Sequence, residues 1–74
     1  LFVVQIGAYA ESSGVSTARQ KAQGAGVSTF TQDVDTKAGK RTRVRAGPFA
    51  SREAAEQAAA KLKRAGLGAS VIPL

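Results

Sequence analysis

The sequence contains no cysteine, methionine, tryptophan or histidine. Without cysteine the chain can form neither a disulfide nor a cysteine-based metal site, so its stability has to come from packing alone. The absence of both histidine and cysteine, with no basic partner placed to activate a serine, argues against a catalytic nucleophile. We therefore expect residues 1–74 to form one small domain that is not an enzyme and holds no cofactor and no metal.

Long hydrophobic segments are also missing. No apolar stretch is long enough to cross a bilayer, and no secretory signal peptide is recognisable. The chain begins with Leu1 instead of methionine. We therefore expect it to be part of a longer protein, whose anchoring or targeting segments lie outside this sequence.

What the chain does have is one unit used twice. The chain consists of two similar units, at about residues 1–35 and 41–74, which repeat at a fixed offset of about forty positions. The polar stretch 36–40 lies between them. A duplicated unit of this length predicts a fold with internal two-fold pseudosymmetry. The residues that recur unchanged are Val4, Gly7, Ala10, Ala18, Lys21, Ala25 and Gly26, which return as Val44, Gly47, Ala50, Ala58, Lys61, Ala65 and Gly66.

Each unit has the pattern of a strand, a helix and a second strand. Small apolar residues recur at helical spacing, as at Ala18 and Ala22, and should face the sheet. Gly26 and Gly66 stand where a helix would end, and Ser51 is a suitable N-cap. The predicted strands are Leu1 to Ala8, Val27 to Asp35, Arg41 to Gly47 and Ala69 to Leu74, and the predicted helices are Ser13 to Ala25 and Ser51 to Ala65.

Two such units in so short a chain cannot each bury a separate core. Their four strands should therefore interleave into one antiparallel sheet with both helices on one face. Right-handed crossovers, each leaving a gap for one strand of the other unit, give the strand order 4-1-3-2. The prediction is an α+β fold of the βαββαβ, ferredoxin-like kind.

The net charge of +6 is unevenly distributed along the chain. Residues 1–37 carry three basic and three acidic side chains, so the whole excess lies in the second half. There Arg41, Arg43 and Arg45 occupy alternate positions, and the two-residue period of a strand places them on one face. Because Val44 has to point at the helices, the arginines should lie on the face that the helices leave open.

The repeat extends this assignment to the other strands. Val3 and Gln5 match Arg43 and Arg45 and should point outward with them. Two alternatives remain open: the arginines form an ordinary solvated surface, or Phe30 belongs to the core because strand two is shifted by one residue. If strands two and four keep the expected alternation, the open face also carries Phe30, Gln32, Ser70 and Ile72.

Two motifs at equivalent places in the units resemble the SPOR domain, the sporulation-related repeat of bacterial envelope proteins. One is the run Val-Gln-Ile-Gly-Ala-Tyr at residues 4–9, and the other is Arg-Val-Arg-Ala-Gly-Pro-Phe at residues 43–49, each followed by a helix. The resemblance covers essentially the whole chain. It implies a periplasmic binding module that recognises peptidoglycan, prefers denuded glycan strands stripped of stem peptides, and brings its parent protein to the division septum.

The resemblance also implies which residues touch the glycan. Gln5 maps onto the glutamine of the family's glycan-contacting surface. The turn after strand one and the start of helix one should lie in the same region. Those residues are Gly7, Ala8, Tyr9, Ser12 and Ser13.

The chemistry of a denuded strand suggests roles for the outward residues. Removing a stem peptide converts the muramic lactyl amide into a free carboxylate, so a denuded strand is a polyanion. Our hypothesis is that Arg43 and Arg45 bind these carboxylates through charge-assisted hydrogen bonds. Gln5 would bond to N-acetyl or hydroxyl groups. The residues expected to pack against sugar rings are Val3, Phe30 and Ile72.

Nucleic-acid binding is the main alternative, because RNA-recognition motifs share this topology and a basic sheet. Those motifs need aromatic residues on strands one and three, where this chain has Val3, Gln5, Arg43 and Arg45. We therefore expect glycan as the partner, without nucleic acid and without membrane insertion by this domain. Other division proteins would be contacted through the rest of the parent chain.

Overall fold

The computed structural model describes residues 1–74 as four strands and two helices. The strands form one antiparallel sheet. Neither helix has the length and hydropathy needed to cross a membrane. The elements are β1 (Phe2–Tyr9), α1 (Ser12–Gly24), β2 (Thr29–Thr36), β3 (Gly39–Phe49), α2 (Arg52–Arg64) and β4 (Ser70–Pro73).

The strand order is β2-β3-β1-β4, which is the predicted order counted from the other edge. The two central strands, β1 and β3, come from different units, so neither unit has a sheet of its own. The predicted α+β fold of the βαββαβ kind is thereby confirmed. Element ends differ from the prediction by one or two residues. The strand β3 extends two residues beyond the predicted strand at each end, to Gly39 and Phe49.

Both helices end with the same backbone motif. The Val27 amide donates to the carbonyl of Ala22, 2.9 Å away, and the Leu67 amide makes the equivalent bond after α2. The residue before each is a glycine in the left-handed region, Gly26 with φ of 79° and Gly66 with φ of 84°. This is the Schellman arrangement that glycine favours. The predicted glycine stops are confirmed.

The two helices begin differently. Ser51 precedes α2, and its Oγ accepts a hydrogen bond from the Ala54 amide at 3.1 Å. Glu53 adds a negative charge to the first turn, where the helix dipole favours it. Glu11 precedes α1, and its side chain makes no capping bond. Ser51 is therefore confirmed as an N-cap, whereas α1 starts without one.

Replacing Ser51 with alanine should lower the free energy of unfolding by about 1 kcal/mol, because the Ala54 amide loses its acceptor. Urea denaturation followed by circular dichroism measures the difference. Ser12→Ala is the matched control, since Ser12 is an exposed serine in the first turn of α1. It should change the free energy by less than about 0.5 kcal/mol. Equal losses in both variants would contradict the capping role.

The core lies between the sheet and the helices as one cluster of 11 buried residues. From the central strands come Val4 and Ile6 of β1 and Val44 and Ala46 of β3. The helices contribute methyl groups and one larger side chain, the fully buried Leu62. Such small side chains let both helices lie close to the sheet. The helix residues in the cluster are Ala18, Ala22, Ala55, Ala58, Ala59 and Leu62.

A bulge interrupts the alternation of β1. The register with β3 shifts between Gln5 and Gly7, so β1 has one residue more than β3 at this point. Ile6 and Gly7 consequently both face the helices: Ile6 is in the core, and a Cβ at Gly7 would lie 2.9 Å from the hydroxyl oxygen of Tyr9. Ala8 then returns to the open face.

The repeat places a second glycine beneath an aromatic ring on β3. A Cβ at Gly47 would lie 3.0 Å from Cδ2 of Phe49, and the φ of 119° at Gly47 disfavours any side chain. Tyr9 is packed in the same way against Gly7, and also against Gly14 of α1, where a Cβ would lie 2.9 Å from the ring. The recurrence of glycine two residues before each aromatic therefore has a packing reason.

Candidate functional site

One row of side chains crosses the open face from edge to edge. Phe30 of β2 pairs with Arg45 of β3. Arg45 lies opposite Gln5 of β1, and Gln5 lies opposite Ser70 of β4. Opposed residues of antiparallel strands share a face, so all four lie away from the helices. Gln5 and Arg45 are 40 residues apart and equivalent in the two units, so the pseudo-two-fold axis passes between them.

Shorter rows flank this central one. On one side Arg43 pairs with Gln32 of β2 and with Ala8 of β1. On the other side Val3 pairs with Ile72 of β4. Seven of the residues predicted for the site thus share the open face: Val3, Gln5, Ala8, Phe30, Arg43, Arg45 and Ile72.

Phe30 lies on the open face and not in the core. It is 38% exposed and outside the core cluster, and its neighbour Thr31 pairs with the fully buried Val44. The predicted register of strand two is confirmed, and the alternative shifted by one residue is wrong. Val3 is 3% exposed on the same face, so the surrounding side chains cover it almost completely.

The open face carries positive charge and no acidic side chain. Asp33 pairs with Thr42 and Asp35 with Lys40, and these partners alternate with the arginines on β3, so both aspartates lie on the helix side. Thr42 Oγ1 donates to Asp33 Oδ1 there, at 3.0 Å. The glutamates lie at Glu11, before α1, and within α2. An anionic ligand would meet the arginines of β3 with no carboxylate beside them to repel it.

Arg45 and Gln5 contact each other at the centre of the face. Arg45 Nη2 donates to Gln5 Oε1 at 3.2 Å, and the Arg45 Nε–H is buried without a hydrogen-bond partner. Arg41, which is nearer the turn between β2 and β3, donates instead to the carbonyl of Lys40 at 3.0 Å. Arg45 is therefore held against β1, the strand that carries the central glutamine.

Four residues predicted for the site lie off the open face. Gly7 and Tyr9 face the helices because of the bulge in β1, and Tyr9 packs against the core. Ser12 and Ser13 are exposed in the first turn of α1, on the other side of the sheet. Gly7 and Tyr9 belong to β1 and not, as predicted, to a turn after it. A role for these four residues in binding stays a prediction.

A polar cleft lies between α1 and β2 and does not follow from any pattern in the sequence. It has a volume of about 830 Å³, lies on the helix side, and is lined by Ser12, Ser16 and Gln20 among others. Arg19 Nε donates to Thr29 Oγ1 across it, at 3.2 Å. Serine and glutamine on a helix are the ordinary pattern of a solvated surface, so no signal in the sequence distinguishes this cleft.

A small sheet with one uncovered, cationic face has the architecture of a binding module that uses its sheet surface. The family model of the SPOR domain matches residues 1–73. The chain therefore belongs to the SPOR domain family, as its two motifs predict. A comparison with curated proteins gave no significant match.

Solved structures of SPOR domains share the fold. The RlpA SPOR domain from Pseudomonas aeruginosa has a TM-score of 0.87 and 22% identity, with 100% of both chains covered. The peptidoglycan binding domain of the B. subtilis cell wall lytic enzyme CwlC has a TM-score of 0.77 and 31% identity, covering 96% of this chain and 85% of that one. The Spor protein DedD has a TM-score of 0.64 and 33% identity, covering 96% of this chain and 37% of that one.

Proposed function

We propose that this chain is a non-catalytic module that binds the glycan strands of peptidoglycan outside the cytoplasmic membrane. The observation that carries the proposal is the acid-free open face with Gln5, Arg43 and Arg45 at its centre. Membership of the SPOR family and the 31% identity to the peptidoglycan binding domain of CwlC support it. CwlC is a lytic enzyme, but the part that this chain resembles is its binding domain.

The preferred ligand in this proposal is a denuded strand. Each muramic residue without a stem peptide carries a free lactyl carboxylate, and a guanidinium binds a carboxylate with charge-assisted hydrogen bonds. A sugar that keeps its peptide has an amide at the same place, which is neutral, and it adds bulk over the face. The open face therefore favours the denuded strand both by charge and by shape.

Apolar side chains give the sugar rings a place to pack. Phe30 and Ile72 come from the two edge strands and lie on either side of the central arginine and glutamine. The C–H face of a pyranose can rest on such side chains while its hydroxyl and N-acetyl groups reach the polar centre. Gln5 offers an amide to those groups.

The consequence for the cell is localisation of the parent protein. In the SPOR family, binding to denuded glycan is expected to bring the parent protein to the division septum, and we propose the same consequence for this chain. The remainder of the parent chain would supply the anchor or any activity, as well as contacts with other division proteins.

Sedimentation with peptidoglycan sacculi tests the proposal. The purified chain is mixed at physiological salt with sacculi before and after limited treatment with an amidase that removes part of the stem peptides, and the bound fraction is measured. We expect the bound fraction to rise clearly after the treatment, because each removed peptide uncovers one carboxylate.

Single-stranded RNA serves as a polyanion control at the same salt concentration. A basic protein attracts any polyanion to some extent, and that attraction fades as salt screens it. Equal binding to sacculi before and after amidase treatment would contradict the preference for denuded glycan. Binding to RNA alone, or to neither, would contradict glycan recognition itself.

A further inference from the structure

The surroundings of Arg45 on β3 restrict how this arginine can bind a ligand. Arg45 is partly buried and donates through Nη2 to Gln5 Oε1 at 3.2 Å. Its Nε–H is buried without a partner. A carboxylate that binds the side of a guanidinium accepts hydrogen bonds from Nε and Nη2 together. Because one of these donors is buried and the other is bonded to Gln5, that side of Arg45 is closed to a ligand.

The contact fixes the orientation of the Gln5 amide. A guanidinium has five donors and no acceptor, so the amide atom that faces Arg45 has to be the oxygen. This holds even though amide oxygen and nitrogen are hard to distinguish by position alone. With Oε1 held by Arg45, the two N–H donors of Gln5 point away from the arginine.

We propose that Arg45 is a positioning residue, which holds the amide of Gln5 so that its donors are presented to acceptor oxygens of the ligand. This inference rests on the proposed function, because it assigns the ligand groups to which Gln5 donates hydrogen bonds. These groups are carboxylate or N-acetyl carbonyl oxygens. Because the Nε–Nη2 side of Arg45 is closed, the direct contact with a carboxylate is assigned to Arg43, which pairs across the sheet with Gln32 and Ala8. Two residues that look equivalent in sequence thus have different tasks.

A double-mutant cycle separates positioning from direct binding. The cycle uses Gln5→Ala, Arg45→Met and the double variant, with affinity for amidase-stripped glycan strands as the readout. If Arg45 acts through Gln5, each single variant should bind roughly tenfold more weakly, and the double variant should be no weaker than Gln5→Ala. Effects that multiply across the cycle would overturn the positioning role.

Gln5→Glu is a second variant that preserves the contact with Arg45 and is expected to keep the fold. One carboxylate oxygen still accepts from the arginine, but the other replaces the outward donors with an acceptor. We expect at least a tenfold loss of affinity for the stripped glycan, since the new oxygen repels ligand carboxylates. Unchanged affinity in this variant would overturn the assignment of the Gln5 donors.

A readout without glycan keeps this inference separate from the proposed function. In the ¹⁵N-labelled protein, the side-chain amide resonances of Gln5 should shift and narrow together in Arg45→Met, because the fixed amide becomes free to rotate. Arg43→Gln is the matched control and should leave them in place. Unmoved resonances in Arg45→Met overturn the inference. Moved resonances without any glycan binding by the unmodified chain would support the contact and contradict the proposed function.

Discussion

Arg43→Gln is expected to weaken binding to stem-peptide-free glycan by about ten- to one-hundredfold. The variant removes a charged donor from a face that has no acidic residue, next to the central row of side chains. Hydrogen bonds to charged groups contribute more than neutral ones, so this single change should outweigh the loss of an apolar contact such as Phe30. Isothermal titration with glycan strands released by amidase and muramidase digestion measures the affinity.

Arg64→Gln is the matched control for net charge. Arg64 is exposed in the last turn of α2, on the helix side of the sheet, and its removal lowers the charge of the protein by the same amount. We expect a change in affinity of less than about threefold, because an exposed charge at this distance is screened. Equal losses in the two variants would mean that glycan responds to total charge and not to a site on the sheet.

Leu62→Ala is expected to lower the free energy of unfolding by about 2 to 5 kcal/mol. Leu62 is fully buried, and it is the one helix residue of the core that is larger than alanine. Its counterpart in the first unit, Ala22, is also fully buried, so the equivalent position of α1 supplies only a methyl group. For a chain of 74 residues, total stabilities of about 4 to 11 kcal/mol are typical, so the variant should be close to unfolding.

Urea denaturation of the two proteins gives the difference in free energy, and Lys61→Ala is the control on the same helix. Lys61 is exposed, and alanine is a better helix former, so this control should change stability by less than about 0.5 kcal/mol. A loss below about 1 kcal/mol in Leu62→Ala would mean that α2 moves to fill the cavity, contrary to the packing described above.

Most of the fold could be predicted from the sequence because it depends on local patterns. Helical spacing identifies the alanine faces of α1 and α2, glycine identifies their ends, and alternation identifies β3. The repeat then supplies the topology, since two short units have to share one sheet. Ala59 is a core residue that lies beside the helical stripe of Ala55, Ala58 and Leu62, because a helix face that packs against a sheet is wider than one residue in each turn.

The candidate site could be predicted only in part. The outward positions of Gln5, Arg43 and Arg45 follow from the repeat and from the period of a strand. Gly7 and Tyr9 could not be placed in this way, because a bulge reverses the alternation after Gln5. A bulge depends on the pairing with β3 and on the room that Tyr9 needs against two glycines. The pairing with β3 and the contact of Tyr9 with Gly14 of α1 are not local properties of β1.

The sequence by itself determined the duplicated unit, the order of the elements and the face of the sheet that carries positive charge. These follow from periodicity and from the chemistry of neighbouring residues. Only the tertiary structure decided that Arg45 contacts Gln5 while Arg43 does not, and that both aspartates of β2 lie on the helix side. The physical reason is that such contacts join strands from different units, so they depend on a register that exists only when the two units share one sheet.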